Sequence, residues 1–205
     1  MFQTTIALTI ETPLPPSTDP ESVVRILHDH GAVVGLSPLV TSHKLVSSSG
    51  DTPSLSGTPD TPDTVTKDQT LARSSTYEVT ESVPLLPGGL WQTNTAFKAE
   101  FTDLPDGLRA VVHAPMGVEM VDIWSVGGGE GDPSGDGNGI MRLKEEVELR
   151  CSVFLMPFVK LTMRGAHEVI HQRLVERAGG GSGSHSMKIT NEEGTTDASV
   201  TQRDR

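Results

Sequence analysis

The sequence predicts an α+β domain in which a curved antiparallel sheet wraps around one long C-terminal helix. The middle of the chain contains several stretches where apolar and polar residues alternate, which is the pattern of half-buried β-strands. Turn signals such as Pro105-Asp106-Gly107 separate these stretches, so neighbouring strands are expected to pair antiparallel. Over residues 157–178 the apolar pattern instead repeats every three to four residues, which indicates a helix roughly 30 Å long.

The first 46 residues predict a strand, a helix, a short second helix or turn, and a second strand. Residues 2–10 alternate with a period of two. Asp19-Pro20-Glu21 reads as the start of a helix, because the aspartate can cap it, the proline fits its first position and the glutamate suits its first turn. Gly31 is expected to end this helix, and a strand is expected over 39–46.

Five further strands are predicted, over 77–83, 91–102, 108–114, 118–126 and 140–153. Strands joined by tight turns form a meander with one apolar face, and only the terminal helix is long enough to cover that face. A curved sheet around a helix leaves space between the two, and such spaces bind ligands.

Three segments are too polar or too rich in glycine to fold on their own. They are a Ser/Thr/Pro/Asp-rich insert at 48–75, a glycine-rich loop at 127–139 and a tail at 179–205. The predicted organisation is therefore a single domain over 1–178, interrupted by a disordered insert and a flexible loop, and followed by a disordered tail.

Composition excludes several classes of protein. With 16 basic and 27 acidic side chains the net charge is −11, which argues against a nucleic-acid binder. The single cysteine, Cys151, excludes an intramolecular disulfide framework and any multi-cysteine zinc finger. No apolar run approaches about 18 residues, and the start lacks the basic region of a signal peptide. We expect no membrane span and a location in the cytoplasm or nucleus.

The sequence His167-Glu168-Val169-Ile170-His171 matches the HExxH motif of zinc proteases. That chemistry needs a third ligand downstream; Glu176 lies on the same helix and cannot close a tetrahedral site, and His185, Glu192 and Glu193 lie in a polar, glycine-rich tail without rigid support. We interpret the motif as a chance match in a structural or cavity-lining helix, and expect no metal and no cofactor. His28 and His30 are two residues apart on a predicted helix, face different ways, and are expected to be solvated.

Two carboxylates fall on predicted inner faces. Glu145 shares its strand parity with Leu143 and Val147, and Asp122 shares its parity with Trp124. A buried carboxylate is costly unless it is paired, so it would shift its pKa or bind something, as a general acid or base does. The alternatives are a bulge that reverses the parity, or a position beyond the edge of the sheet.

The stretches that carry a family resemblance are ILHDHGAVVGLSPLV (26–40), LLPGGLWQTNTAFKAEFTDLPDGLRAVVHAPMGVEMVDIWSV (85–126) and AHEVIHQRLVERA (166–178). With the order of elements, they resemble the helix-grip fold of the START-like superfamily, which includes polyketide cyclase-like proteins, and more narrowly a fungal family of uncharacterised START-like domains. The resemblance implies a deep apolar cavity between sheet and helix, used in relatives for sterols, phospholipids, polyketides or quinones. Some relatives are enzymes, and others are carriers or co-chaperones.

Three functions follow as hypotheses. The first is non-catalytic binding of a small hydrophobic ligand such as a lipid, a sterol or a polyketide-like molecule. The second is a cyclase- or hydrolase-type enzyme, with Glu145 or Asp122 as base and His167 or Thr93 as partner. The third is a protein-interaction module, with a protein partner bound through the insert at 48–75. The residues expected to line the cavity are Trp91, Thr93, Thr95, Phe97, Phe101, Asp122, Trp124, Met141, Leu143, Glu145, Met163, His167 and Ile170.

Overall fold

The computed structural model describes residues 2–49, 72–84, 92–128, 140–179 and 188–192. Within these ranges the strands are β1 (Gln3–Pro13), β2 (Val40–Ser49), β3 (Ser74–Pro84), β4 (Gln92–Leu104), β5 (Gly107–Ala114), β6 (Val118–Gly128), β7 (Met141–Ser152) and β8 (Lys188–Glu192). The α-helices are α1 (Pro20–Leu27), α2 (His30–Val34) and α3 (Met156–Arg177). No described helix combines the length and the apolar character needed to cross a bilayer.

The strands form one curved antiparallel sheet in the order β2-β3-β4-β5-β6-β7-β1-β8, and the long helix α3 follows β7. This is the helix-grip architecture that the sequence predicts. The meander from β2 to β7 follows chain order, and β1 closes beside β7. One cross-strand row runs from Leu108 on β5 through Trp124 and Glu145 to Ile10 on β1.

Strand pairing extends into segments that the sequence analysis expects to be disordered. Ser48 and Ser49 pair with Ser75 and Ser74, so β2 and β3 take up both ends of the insert. Gly127 and Gly128, at the start of the glycine-rich loop, end β6. The remainder of these segments, 50–71 and 129–139, lies outside the described residues.

The strand β8 lies within the expected tail and pairs with β1, where Ile189 faces Ile10 across the ladder. A polar composition predicts no strand at this position. The physical reason for the strand is that the far edge of β1 would otherwise present unpaired backbone N–H and C=O groups, which a further segment can satisfy.

The core lies between the sheet and the helices. The predicted apolar stripe of α3 is buried at Met163, Ala166, Ile170 and Leu174. Two apolar clusters fill the space on either side of the helix's middle. The first is built around Trp124, Leu143 and Leu174, and the second around Leu149, Met156 and Met163.

The expectation of solvated histidines at 28 and 30 is wrong. The helix breaks between them, because Asp29 caps α2 by accepting a hydrogen bond from the Ala32 N–H. His30 is 3% exposed; its Nε2 lies 2.7 Å from Asp103 Oδ1 and its Nδ1 lies 2.5 Å from Ser75 Oγ. His28 Nε2 lies 3.0 Å from two backbone carbonyl oxygens in the β4–β5 turn. Both histidines therefore tie the helical segment to the sheet.

Gly107 provides a test of the close approach of β5 to β6. A Cβ at this position would lie 1.8 Å from the backbone oxygen of Trp124. Gly107→Ala should lower the free energy of unfolding, measured by urea denaturation, by about 2 kcal/mol or more, because the backbone of β6 would have to move. Gly165→Ala is the control: Gly165 is exposed within α3, and an added methyl group would meet nothing within 4 Å, so alanine should raise stability by about 0.5–1 kcal/mol. Equal stability of Gly107→Ala and the wild type would contradict the packing.

The burial of His30 gives a second prediction. Burial lowers the pKa of His30 below its ordinary value of 6.5; hydrogen bonding and attraction by Asp103 oppose this shift, while the charges of Arg73 and His28 add to it. The unfolded chain therefore takes up a proton here at a higher pH than the folded protein. Stability from this group is fully present above pH 6.5 and decreases as the pH falls below it.

His30→Gln should thus lose less stability than the wild type when the pH is lowered from about 7.5 to about 5.5 in urea titrations. His113→Gln, at an exposed position on β5, should keep the wild-type dependence. An unchanged pH dependence in His30→Gln would refute the assignment.

Candidate functional site

Four polar side chains meet at the centre of the sheet–helix interface, and we call them the buried polar cluster: Asp122, Glu145, His167 and His171. The alternation of β6 and β7 turns Asp122 and Glu145 to the inner face, and the unbroken register between these strands leaves no bulge there. His167 and His171 are one helical turn apart on α3 and face the same way. Their exposed fractions are 4%, 0%, 7% and 0%, respectively.

Glu145 joins the two histidines. His167 Nδ1 contacts its Oε1, and His171 Nε2 lies 2.9 Å from its Oε2. On its other side, His171 Nδ1 lies 2.9 Å from Thr12 Oγ1 on β1. With Nε2–H donating to Glu145, the Nδ1 atom accepts the hydroxyl proton of Thr12. The carboxylate of Glu145 is thus held from β1, β7 and α3 together.

Asp122 is only half satisfied. Trp124 Nε1–H donates to its Oδ2 over 2.9 Å, and this oxygen lies 4.0 Å from His167 Nδ1. The other oxygen, Oδ1, is buried and has no hydrogen-bond partner among the described residues. The Trp124 ring also packs against the two histidines, with ring centres 6.4 Å from His167 and 4.8 Å from His171.

The buried polar cluster holds a negative and a positive charge side by side within the core. Burial would raise the pKa of Glu145, but the charge of His167 and hydrogen bonds from both histidines outweigh burial and lower the pKa to about 2. Burial would lower the pKa of His167, but Glu145, then Asp122 and Glu81, raise it to about 9. For Asp122, burial and the charge of Glu145 raise the pKa well above its ordinary range. At neutral pH a His167⁺–Glu145⁻ pair therefore lies beside an aspartate that retains its proton to unusually high pH.

Glu81 is a third carboxyl group near His167, on β3. It is not among the site residues predicted from the sequence. It is partly buried on β3, where burial raises the pKa of its carboxyl against the opposing effects of His167 and Ser37. The available signal was its parity, since it lies on the same face as Tyr77 and Val79. Thr12 and His171 were missed in the same way, although each lies on the buried face of its element.

The structure brings together only part of the expected cavity lining. Asp122, Trp124, Glu145 and His167 converge in the cluster, and apolar residues pack around it. The buried or partly buried apolar members of the expected lining are Phe97, Phe101, Met141, Leu143, Met163 and Ile170.

Thr93 does not join the cluster, which removes it as a partner for either carboxylate. It is exposed near the start of β4, and the row that contains Glu145 crosses β4 at Asp103. Ten residues of strand separate these two positions, which is roughly 33 Å. Trp91 lies outside the described residues.

The HExxH motif does not form the arrangement of a zinc protease. Glu168, which would have to polarise a metal-bound water, is 44% exposed at its side chain and pairs with Arg164 over 3.3 Å on the outside of α3. The two histidines of the motif turn inward to Glu145 instead.

Next to the cluster, part of the concave face remains open to solvent. We call it the inner patch: six inner-facing residues that are each only partly buried, namely Thr95, Phe97, Val112, Ala114, Val118 and Met120. Val112 pairs with Met120, and Ala114 with Val118, so the patch is continuous across β5 and β6. Glu81 faces Thr95 across the β3–β4 ladder. The site therefore combines a partly exposed apolar surface with a buried group of titratable side chains.

Two of three comparisons with known proteins give a match, one to a protein family and one to solved structures. The model of a family described as Domain of unknown function (DUF7053) matches residues 3–180. No curated protein matches the sequence. Among solved structures, the chain is similar to Ara h 8.0201, with 11% identity, a TM-score of 0.46, and coverage of 85% of this chain and 99% of that one. It is also similar to a conserved protein from Geobacillus kaustophilus, with 12% identity, a TM-score of 0.46, and coverage of 90% and 99%.

Removing the carboxylate that joins the cluster should destabilise the fold. Glu145→Gln leaves the charge of His167 buried without its closest counter-charge, which costs about 3–5 kcal/mol of unfolding free energy. Glu168→Gln, one helical position from His167 but on the outer face, should change stability by less than about 0.5 kcal/mol. Urea denaturation at neutral pH measures both, and equal stabilities for the two variants would contradict the described pairing.

Proposed function

The chain belongs to the DUF7053 family of domains of unknown function, and we propose that it is a START-like domain that binds a small, mostly apolar molecule between the concave face of the sheet and α3. The observation that carries this proposal is the inner patch. Its residues point toward the helix side of the sheet, as core residues do, yet they keep part of their surface open to solvent.

A modest buried area is enough for useful affinity. An apolar ligand that buries about 300 Å² of its surface gains roughly 7 kcal/mol before the cost of association. Large apolar side chains at Phe97, Val112 and Met120 offer such a surface, while the residues deeper in the sheet, such as Ala99 and Leu149, are already buried by the protein itself.

Two polar groups, one within the inner patch and one beside it, indicate one polar end on the ligand. Glu81 and Thr95 lie opposite each other on β3 and β4, and both are partly buried. Burial raises the pKa of the Glu81 carboxyl, and a carboxyl group can accept a hydrogen bond from a hydroxyl group or, when protonated, donate one to it. The ligand class that fits is an apolar skeleton with a hydroxyl group, such as a sterol or a polyketide-like molecule.

The test compares two neighbouring valines on β5. Val112→Asp places a charge in the inner patch and should weaken binding of an apolar fluorescent probe at least tenfold, because a ligand would have to desolvate the new carboxylate. Val111→Asp places the same charge on the opposite face of the same strand, at a position that is also partly buried, and should leave binding unchanged.

Organic extraction of the protein purified from its own host should, in addition, yield a bound apolar compound from the wild type and less of it from Val112→Asp. If the two valine variants bind the probe equally, the concave face is not the binding surface.

The contact between Glu145 and His167 favours a second candidate, an enzyme that transfers a proton to or from a ligand held at the inner patch. The convergence of a base and a partner within hydrogen-bond reach is what such chemistry requires. The extraction experiment bears on this candidate when it is repeated with His167→Gln. A carrier returns the same compound from both proteins, whereas an enzyme returns product from the wild type and unaltered substrate from the variant.

A further inference from the structure

We propose that Asp122, Glu145 and His167 form a binding site for one divalent transition-metal ion inside the domain. One ligand atom from each side chain lies within 4.8 Å of the other two, and all three residues are buried. They come from β6, β7 and α3, so an ion at this position would link the sheet to the helix. The site is separate from the inner patch and does not depend on the ligand proposed above.

The unpartnered oxygen of Asp122 is the independent observation that points to a ligand. The residue is 4% exposed, and its Oδ1 has no hydrogen-bond partner among the described residues. A buried acceptor left without a partner costs about 1–3 kcal/mol. Trp124 donates to the other oxygen, Oδ2, which lies 4.0 Å from His167 Nδ1, so a cation beside His167 would give this carboxylate the additional partner that it lacks.

The surrounding hydrogen bonds orient the other ligands as outer-shell groups do in metal sites. His171 Nε2 binds Glu145 Oε2, and Thr12 holds His171 in turn, so Oε1 is the carboxylate oxygen that contacts His167. The support for Glu145 thus comes from residues that need not bind the ion themselves.

The donor set selects the kind of ion. An ion that binds here would displace the protons of His167 and Asp122, and the resulting two carboxylates and neutral imidazole bring two negative charges, which balance a divalent cation. An imidazole nitrogen favours transition metals such as Zn²⁺, Co²⁺ or Fe²⁺ over Ca²⁺ and Mg²⁺, which prefer oxygen ligands throughout. Three protein ligands also leave at least one coordination position for water or a ligand atom, as in catalytic zinc sites.

A variant of the HExxH motif, Glu168→Gln, is the matched control for the proposed metal site. One of its histidines is a proposed ligand and the other supports Glu145, but Glu168 faces outward and pairs with Arg164. A zinc-protease site would need Glu168 for its chemistry, whereas the proposed site does not. Glu168→Gln therefore removes the motif without touching the proposed ligands.

The experiment uses the full chain, stripped with a chelator and then titrated with Co²⁺ and with Zn²⁺. We expect one bound ion per wild-type chain by elemental analysis, a visible Co²⁺ absorption band, and quenching of Trp124 fluorescence by Co²⁺ in a Trp91→Phe background. Asp122→Asn should weaken binding by about 100-fold or more, as loss of a metal ligand or its support does. Glu168→Gln and Val112→Asp should bind as the wild type does, and the latter separates this proposal from the ligand site.

Two results would overturn the site. One is that the wild-type protein, shown by circular dichroism to be folded, binds no stoichiometric metal ion; this test needs no variant. The other is Asp122→Asn binding as tightly as the wild type, which would place the ion elsewhere on the chain. If Asp122→Asn does not fold, the fluorescence of Trp124 in the Trp91→Phe protein tests the position of the ion. Co²⁺ that binds without quenching this fluorescence is not beside Asp122, and the proposed site is then wrong.

Discussion

The buried carboxylate of Glu145 fixes the relation between the sheet and its helix. It is fully buried, and its two oxygens contact two histidines that lie one turn apart on α3. Apolar burial is not directional, whereas a hydrogen bond depends on the positions of both of its partners. Two directional hydrogen bonds from one carboxylate to positions i and i+4 permit only one rotation and one register.

That constraint has a consequence for the concave face. The cluster lies between the apolar cluster around Trp124 and Leu174 and the one around Leu149 and Met163. Because polar groups separate these clusters, the interior does not close as a single apolar mass. The inner patch lies at the border of this polar region, so that a molecule bound there would have an apolar surface beneath it and titratable groups beside it.

The sequence predicts those parts of the structure that depend on local periodicity. Strand alternation correctly predicts that Asp122 and Glu145 face inward, and helical spacing correctly predicts that Met163, Ile170 and Leu174 are buried. What the sequence could not supply was the relative phase of the two periodicities. Nothing local pairs His167 with Glu145, which is 22 residues away and on another element.

The errors share this origin. Thr93 lies on the same face of β4 as Phe97, but it is too far along the strand to reach Glu145 or Asp122. The alternation of a strand predicts which face a residue lies on and does not predict its distance from the site. His30 resembles a solvated helix end until Ser75 and Asp103, 45 and 73 residues away, are placed on either side of it. The strand β8 is polar, and it forms because β1 offers an unpaired edge, not because its own residues favour a strand.

The polar cluster is not what a fold selected only for stability would place at this position. Replacing a buried ion pair by well-packed apolar residues is often neutral or stabilising, and the neighbours of Glu145 on β7, Leu143 and Val147, show that apolar residues fit this face. Among the described residues, the cluster moreover leaves Asp122 Oδ1 without a hydrogen-bond partner. A network that is costly to bury and has an acceptor without a described partner is one that the proposed cation would complete.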